Sequence, residues 1–174
     1  LTRELNLDTV LEKLLEYLRQ LVPYDSANVM LVRDHDRLII SAMRGYEDFT
    51  DAASTQALEF DFRHSTAFVR IMNEQRTFLI ADTRQFEGWT RDPGTEHVIS
   101  WMGVPLIAGG RVIGLYSVDK TEPNFFTEQH QNFAEALAGQ AAIAIQNARL
   151  FAQIQAELAE RKFTENALRE SEER

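Results

Sequence analysis

Eight side chains have the types that line a small-molecule site: Phe62, His64, Phe68, Phe86, Trp89, His97, Trp101 and Tyr116. Rings with a few interspersed donors and acceptors are the usual make-up of a ligand pocket. The same rings would equally fill a closed core, with Trp89 and Trp101 as plugs. Strand parity leaves open whether Trp101 or Met102 faces a cavity.

Other chemistry finds little support. The four histidines, His35, His64, His97 and His130, stand at no metal-ligand spacing. His35 sits in a turn and His130 at a helix start, where both are solvated. No serine lies in a nucleophile elbow. Gly103, Gly109 and Gly110 lack the Lys-Ser/Thr and the strand-to-helix setting of a phosphate loop, so they read as turn glycines. Asp61, Asp82 and Asp92 read as solvated loop acids or helix caps without an acid-base partner. Asp119-Lys120 reads as a surface pair at a strand end.

The chain has 174 residues, 44% hydrophobic and 26% charged, with a formal charge of −9. That composition is globular. The excess acid repels phosphate, which makes nucleic acid an unsuited partner. No apolar run approaches the roughly 20 residues that cross a bilayer, so membrane contact is not expected. There is no Cys, which excludes disulfides, thiolate metal sites and Cys nucleophiles, and fits a reducing, cytoplasmic setting. The chain opens at Leu1 and stops at Arg174 inside a charged run, as a piece of a longer protein would.

The elements that must position the site follow from periodicity. Leu7, Val10, Leu11, Leu14, Leu15, Leu18 and Leu21 form one stripe of an amphipathic helix, capped by Asn6 or Asp8 and closed by Pro23. Ala27 to Val32 and Leu38 to Met43 are two strands around an Asp34-His35-Asp36 tip. Residues 45–57 are ambiguous. Ala67, Phe68, Ile71 and Met72 make a short helix capped by Ser65 or Thr66, followed by a strand over Thr77 to Ile80 and a loop over Phe86 to Gly94. Ser100 to Ile107 and Arg111 to Val118 flank a Gly-rich turn and form the clearest hairpin. From Thr127, a natural cap, one helix of over 40 residues runs on without Pro. The order predicts an α+β fold: an antiparallel sheet of five to six strands, the first and last helices on one face, and residues 46–98 over a pocket on the other.

Several strings in this order resemble a GAF domain, the small-molecule-binding module of signalling proteins. They are Leu7-Asp8-Thr9-Val10-Leu11, Val22-Pro23-Tyr24-Asp25-Ser26-Ala27, Ile80-Ala81-Asp82, Val104-Pro105-Leu106 and Val112-Ile113-Gly114-Leu115, with Phe126-Thr127-Glu128 before the last helix. The resemblance covers about residues 5–151 and implies a sensory domain over 1–150. Asp119-Lys120 departs from the Asn-Lys signature of cyclic-nucleotide-binding GAF domains, and Gln129 and His130 replace their acidic pair. Bilin-binding GAF domains attach pigment through a Cys, so no covalent bilin is expected and the cofactor is unknown. A GAF-fold methionine sulfoxide reductase would also need Cys, so the domain is expected to be noncatalytic.

The charged end, with Glu160-Arg161-Lys162 and Ala167-Leu168-Arg169-Glu170-Ser171-Glu172, resembles the lead-in helix to a PAS domain of bacterial multidomain sensors. That implies a signalling linker over 151–174 and a histidine kinase or diguanylate cyclase parent. Leu137, Ala141 and Ala144, then Phe151, Ile154 and Leu158 on heptad positions, would pair two copies in parallel. The alternatives are a ligand-free dimerisation or spacer module, or a single solvated helix.

Overall fold

The computed structural model describes residues 6–174; Leu1 to Leu5 of the expected domain lie outside the described residues. Helix α1 spans Leu7–Leu21, with the Asn6 side chain accepting from the Asp8 N–H. Its stripe buries Leu11, Leu14, Leu15 and Leu18. Strands β1 (Ser26–Arg33) and β2 (Arg37–Arg44) form the first hairpin. A 3-10 turn, Tyr46–Asp48, and helix α2 (Ala52–Gln56) occupy the segment whose sequence is ambiguous. Strand β3 (Glu59–Asp61) follows, too short to show alternation, then helix α3 (Thr66–Glu74) capped by Ser65. Strand β4 (Phe78–Ile80) precedes the second hairpin, β5 (Ser100–Ala108) and β6 (Arg111–Lys120). Gly109 and Gly110 turn that hairpin with φ of 58° and 72°, the left-handed pair a two-residue turn requires.

All neighbouring strands pair antiparallel, in the order β3-β2-β1-β6-β5-β4. The sheet separates two cores. Ala27, Val29, Leu31, Met102, Val104, Tyr116 and Val118 face α1 and the long last helix, α4 (Glu128–Glu172). Met30, Leu38, Ile40, Trp101 and Leu115 face α3 and the loops. This is the expected α+β architecture, and parity now places Trp101 on the loop side and Met102 under the helices.

Gly103 is not a turn glycine, as the sequence suggested. It lies inside β5, where a Cβ would stand 2.2 Å from Trp101 and 2.5 Å from Ile71. The indole and the Ile71 side chain use that space.

Helix α4 runs 45 residues, roughly 67 Å at 1.5 Å per residue. Thr127 and His130 close a capping box at its start. Ala134, Ala138, Ala141, Ala142, Ile145 and Ala148 bury against the helix's own domain. The small-residue stripe is therefore spent within one copy. Ala141 is 6% exposed and is corrected from a contact between copies to an intradomain one; Leu137 and Ala144 are half-buried. From Phe151 to Arg174 every residue is exposed. Phe151, Ile154 and Leu158 stand free on this stretch. No helix among the described residues is long and apolar enough to cross a membrane.

Candidate ligand cavity and its buried carboxylate

The expected surface acid is the most enclosed carboxylate among the described residues. Adjacent residues of a strand point to opposite faces, so Asp119 and Lys120 cannot form one surface pair. Lys120 turns outward to Asp25 at 3.2 Å, while Asp119 turns under the loops and is 2% exposed. The polar side chains around it come from the same face of two neighbouring strands: Ser26 and Asn28 on β1, Ser117 and Asp119 on β6. Ser26 pairs with Asp119 in register, and Asn28 with Ser117.

Three hydroxyls donate to Asp119. Tyr46 Oη reaches Oδ2 at 2.6 Å, Ser26 Oγ reaches Oδ2 at 2.7 Å, and Ser117 Oγ reaches Oδ1 at 3.2 Å. Each hydroxyl has one proton and spends it on the carboxylate, so each must accept from behind. Asn28 Nδ2 donates to Tyr46 at 2.7 Å, and Trp101 Nε1 donates to Ser117 at 2.5 Å. His97 Nε2 lies 2.7 Å from Ser26 Oγ, which assigns the ring proton to Nε2. Three relays of donors thus end on one carboxylate.

Local backbone chemistry places two of these partners. Gly45 has φ of 84°, and a Cβ there would stand 2.1 Å from the Asp25 carbonyl oxygen. That left-handed turn sends Tyr46 into the core directly after β2. His97 stacks on Phe49 at 4.2 Å with parallel planes and meets Tyr46 edge-on at 5.7 Å.

Burial pushes the Asp119 carboxyl up to about 6, against the pull of its three donors. Burial and then the Asp119 charge raise the Tyr46 phenol well above its ordinary value. Burial also lowers His97, opposed by Asp25 and Glu96.

Above this floor lies a cavity of about 190 Å³. Phe60, Phe68, Trp89 and Val98 supply its apolar wall. Trp89 and Trp101 meet at 5.7 Å and 61°, and Phe68 lies 6.1 Å from Trp101. Glu59, Asp61 and Asp92 add carboxylates. Asn28 Oδ1 is buried there without a hydrogen-bond partner.

Of the eight side chains singled out by type, His64, Phe68, Trp89 and Trp101 line this cavity. The His64 side chain is 83% exposed, 3.5 Å from Asp61. Phe62 packs on the loop-side core without lining the cavity, and Phe86 packs on Phe78 at 5.7 Å. His97 stands behind Ser26. Tyr116 is corrected: an odd-even step from Ser117 puts it on the helix face, where its hydroxyl donates to the Ala134 carbonyl. Asp61 and Asp82 act as the caps expected of them: each accepts from a turn N–H, and each also holds an arginine, Arg63 and Arg84. Asp92 lines the cavity, and burial raises its pKa.

Ser26, Asn28, Tyr46, Ser117 and Asp119 are the site residues that sequence reasoning missed. The signal was present for four of them. Ser26-x-Asn28 and Ser117-x-Asp119 put polar residues at period two into otherwise apolar strands, which reads as a polar patch on one sheet face.

A family model described as a GAF domain matches residues 4–146. No curated protein matches the chain in sequence. Among solved structures, the GAF domain of a phosphoenolpyruvate-protein phosphotransferase from Coxiella burnetii is similar with a TM-score of 0.74 at 20% identity, covering 85% of this chain and 87% of that one. A domain of a putative two-component sensor histidine kinase from Sinorhizobium meliloti gives 0.66 at 22%, covering 88% and 97%. A free methionine-R-sulfoxide reductase from Neisseria meningitidis, solved with its substrate, gives 0.71 at 17%, covering 85% and 83%. At these identities the likeness is one of fold.

Proposed function

The chain belongs to the GAF family, and we propose that it is a noncatalytic sensory module that reads a small molecule in the cavity over Asp119 and passes the result along α4. One observation carries this reading. The cavity floor is built on β1, β6 and, through Trp101, β5; behind these strands α1 packs on β1 and α4 on β5, and Tyr116 of β6 donates to the Ala134 carbonyl of α4. A ligand that rearranges the hydrogen bonds of Asp119 pulls on the two central strands and on the loops holding Tyr46 and His97. The helices pack on the same strands from behind, so they are the next bodies to move. A ligand shifts such an equilibrium only by its differential affinity for the two arrangements.

In this reading residues 151–174 are a signalling linker, paired in parallel with a second copy through Phe151, Ile154 and Leu158. The exposed apolar side chains on a rod with no core of its own support it. The linker would lead into a PAS-like domain of a cytoplasmic sensor histidine kinase or related parent. The fold likeness to a domain of a putative sensor histidine kinase is consistent with that. The complete absence of Cys argues against reductase chemistry of the thiol kind.

The second reading is a ligand-free spacer that pairs two copies. The size of the cavity favours it: about 190 Å³ is below the roughly 300 Å³ at which drug-sized pockets begin.

A Cys-free chain allows one clean spin label at Gln155→Cys on the exposed rod. The chain is screened by thermal shift against cyclic nucleotides, haem, bilins, organic acids and amines, and label-to-label distances are read with each hit. A stabilising compound that also moves the distance distribution is the expected result. Binding without any change in distance refutes transmission, and a screen without hits leaves the spacer reading.

A further inference from the structure

We propose that the cavity takes a small organic cation: a primary or secondary ammonium on a short apolar or aromatic body, without a carboxylate. This names the ligand class of the sensory reading above and rests on it.

The first ground is an unanswered charge. The Asp119 carboxylate is 2% exposed, and its three hydrogen-bond partners are neutral hydroxyls. No Lys, Arg or His among the described residues forms an ion pair with it; Lys120, next in sequence, is engaged by Asp25. A buried carboxylate without a counter-charge is strongly unfavourable. Oδ1 receives a single, long hydrogen bond, from Ser117, so it keeps a lone pair to offer.

The second ground is independent of charge. Asn28 is 6% exposed, lines the same cavity, and its Oδ1 has no partner. The amide cannot simply turn over to satisfy it. Tyr46 has given its proton to Asp119, so it requires a donor from Asn28, and Nδ2 must stay where it is. The amide oxygen is thereby held as an acceptor with nothing to accept. Asn28 and Asp119 sit on the same face of adjacent strands, two positions apart in register, with the Ala27–Val118 pair between them turned to the other face. One N–H-bearing group placed over β1 and β6 would serve both.

The walls fit the same class. Among the described residues Asp92 has no ion pair and no hydrogen bond to its carboxylate; only its carbonyl accepts, from Thr95. Glu59 and Asp61 also face the cavity, but Arg33 and Arg37 answer the first and Arg63 the second. No Lys or Arg among the described residues lines the cavity, so an acid or an amino acid would bring an unpaired carboxylate among acids. The ring faces of Trp89, Trp101 and Phe68 suit a cation or an apolar body. No group of three His, Asp or Glu among the described residues is arranged for a metal ion, which leaves an organic cation. The volume of about 190 Å³ limits it to a small one.

The whole chain is titrated by calorimetry with phenethylamine and isoamylamine, and with phenethyl alcohol, phenylacetate, phenylalanine and trimethylphenethylammonium as matched controls. The amines are expected to bind at least about tenfold tighter than each control, a difference of about 1.4 kcal/mol. At about 100 times their Kd they should raise Tm by roughly 5–10 °C. Asp119→Asn and Asn28→Leu should each weaken the amines about tenfold or more. If either buried variant fails to fold, Asp92→Asn, at a half-buried position whose side chain has no partner, should still weaken amine binding about threefold. Phenylacetate or phenethyl alcohol binding as tightly as the amines overturns the cation and leaves a sensor of another ligand. Equal binding of the trimethyl analogue overturns the N–H role of Asn28. Amine binding unchanged in the Asp119 and Asp92 variants, or no binding of any amine, overturns the proposal, while the sensory reading itself stands or falls on hits of other chemistry in the wider screen.

Discussion

Tyr46 donates its hydroxyl proton to Asp119 at 2.6 Å across 73 residues of sequence. The bond ties the turn after the first hairpin to the last strand, and it fixes the direction of every hydrogen bond behind it. Tyr46→Phe removes a donor from a buried carboxylate and leaves Asn28 Nδ2 without its acceptor. At pH 7 the loss should be about 2 kcal/mol by urea unfolding, the range for hydrogen bonds to charged groups. Tyr24→Phe is the comparison, since its hydroxyl donates to the neutral Leu15 carbonyl at 2.7 Å; about 1 kcal/mol is expected there. The Tyr46 loss should shrink by pH 5, where Asp119 takes a proton, and the Tyr24 loss should not.

Asp119 also sets a pH dependence. Its folded value of about 6 lies above the ordinary 3.8, so the folded chain holds this proton more tightly than the unfolded one. The associated stability is fully present below about pH 3.8 and lost as pH rises through 6. The full span is about 3 kcal/mol. His97 works in the opposite sense, since its lowered value disfavours folding as pH falls. Unfolding free energies of the natural chain minus those of Asp119→Asn isolate the Asp119 part. That difference should decline by about 3 kcal/mol between pH 3.5 and 7.5; a flat difference contradicts a buried ionising Asp119.

Two glycines should respond with opposite signs. Gly103→Ala forces a methyl against the Trp101 ring and Ile71 and should destabilise by about 1–3 kcal/mol. Since Trp101 also lines the cavity, its fluorescence should shift with it. Gly139 lies mid-helix in α4 with nothing within 4 Å of a Cβ. Gly139→Ala should stabilise by about 0.5–1 kcal/mol. Denaturant midpoints for the two variants decide both.

The exposed rod carries the pairing expectation. Phe151 is 37%, Ile154 53% and Leu158 47% exposed. Phe151→Glu with Ile154→Glu should move the sedimentation mass from dimer to monomer, with little change in the unfolding of the domain's own core. A natural chain that sediments as a monomer at high concentration refutes the pairing.

The sequence carried most of the frame. Leu11, Leu14, Leu15 and Leu18 at helical spacing announce α1. Gly109-Gly110 between two apolar runs announces the β5–β6 hairpin, and the unbroken stretch after Thr127 announces α4. These signals are local, because each element's own period decides which residues it buries. The three-residue β3 was not legible, since a strand that short exists only through its partner β2.

The site was legible in part. Phe68, Trp89 and Trp101 could be picked by type, because aromatic side chains are the usual lining of a small-molecule pocket. The sequence alone fixed the absence of thiol chemistry, the acidic balance and the sheet-and-helix order. Only the tertiary structure decided that Asp119 points inward, that Tyr116 belongs to the helix face, and that Ala141 is spent on its own domain. Strand parity is relative, and a one-residue change of register exchanges the two faces. Which face meets the loops depends on contacts tens of residues away, such as Tyr46 with Asp119 and His97 with Ser26, and no local pattern contains them.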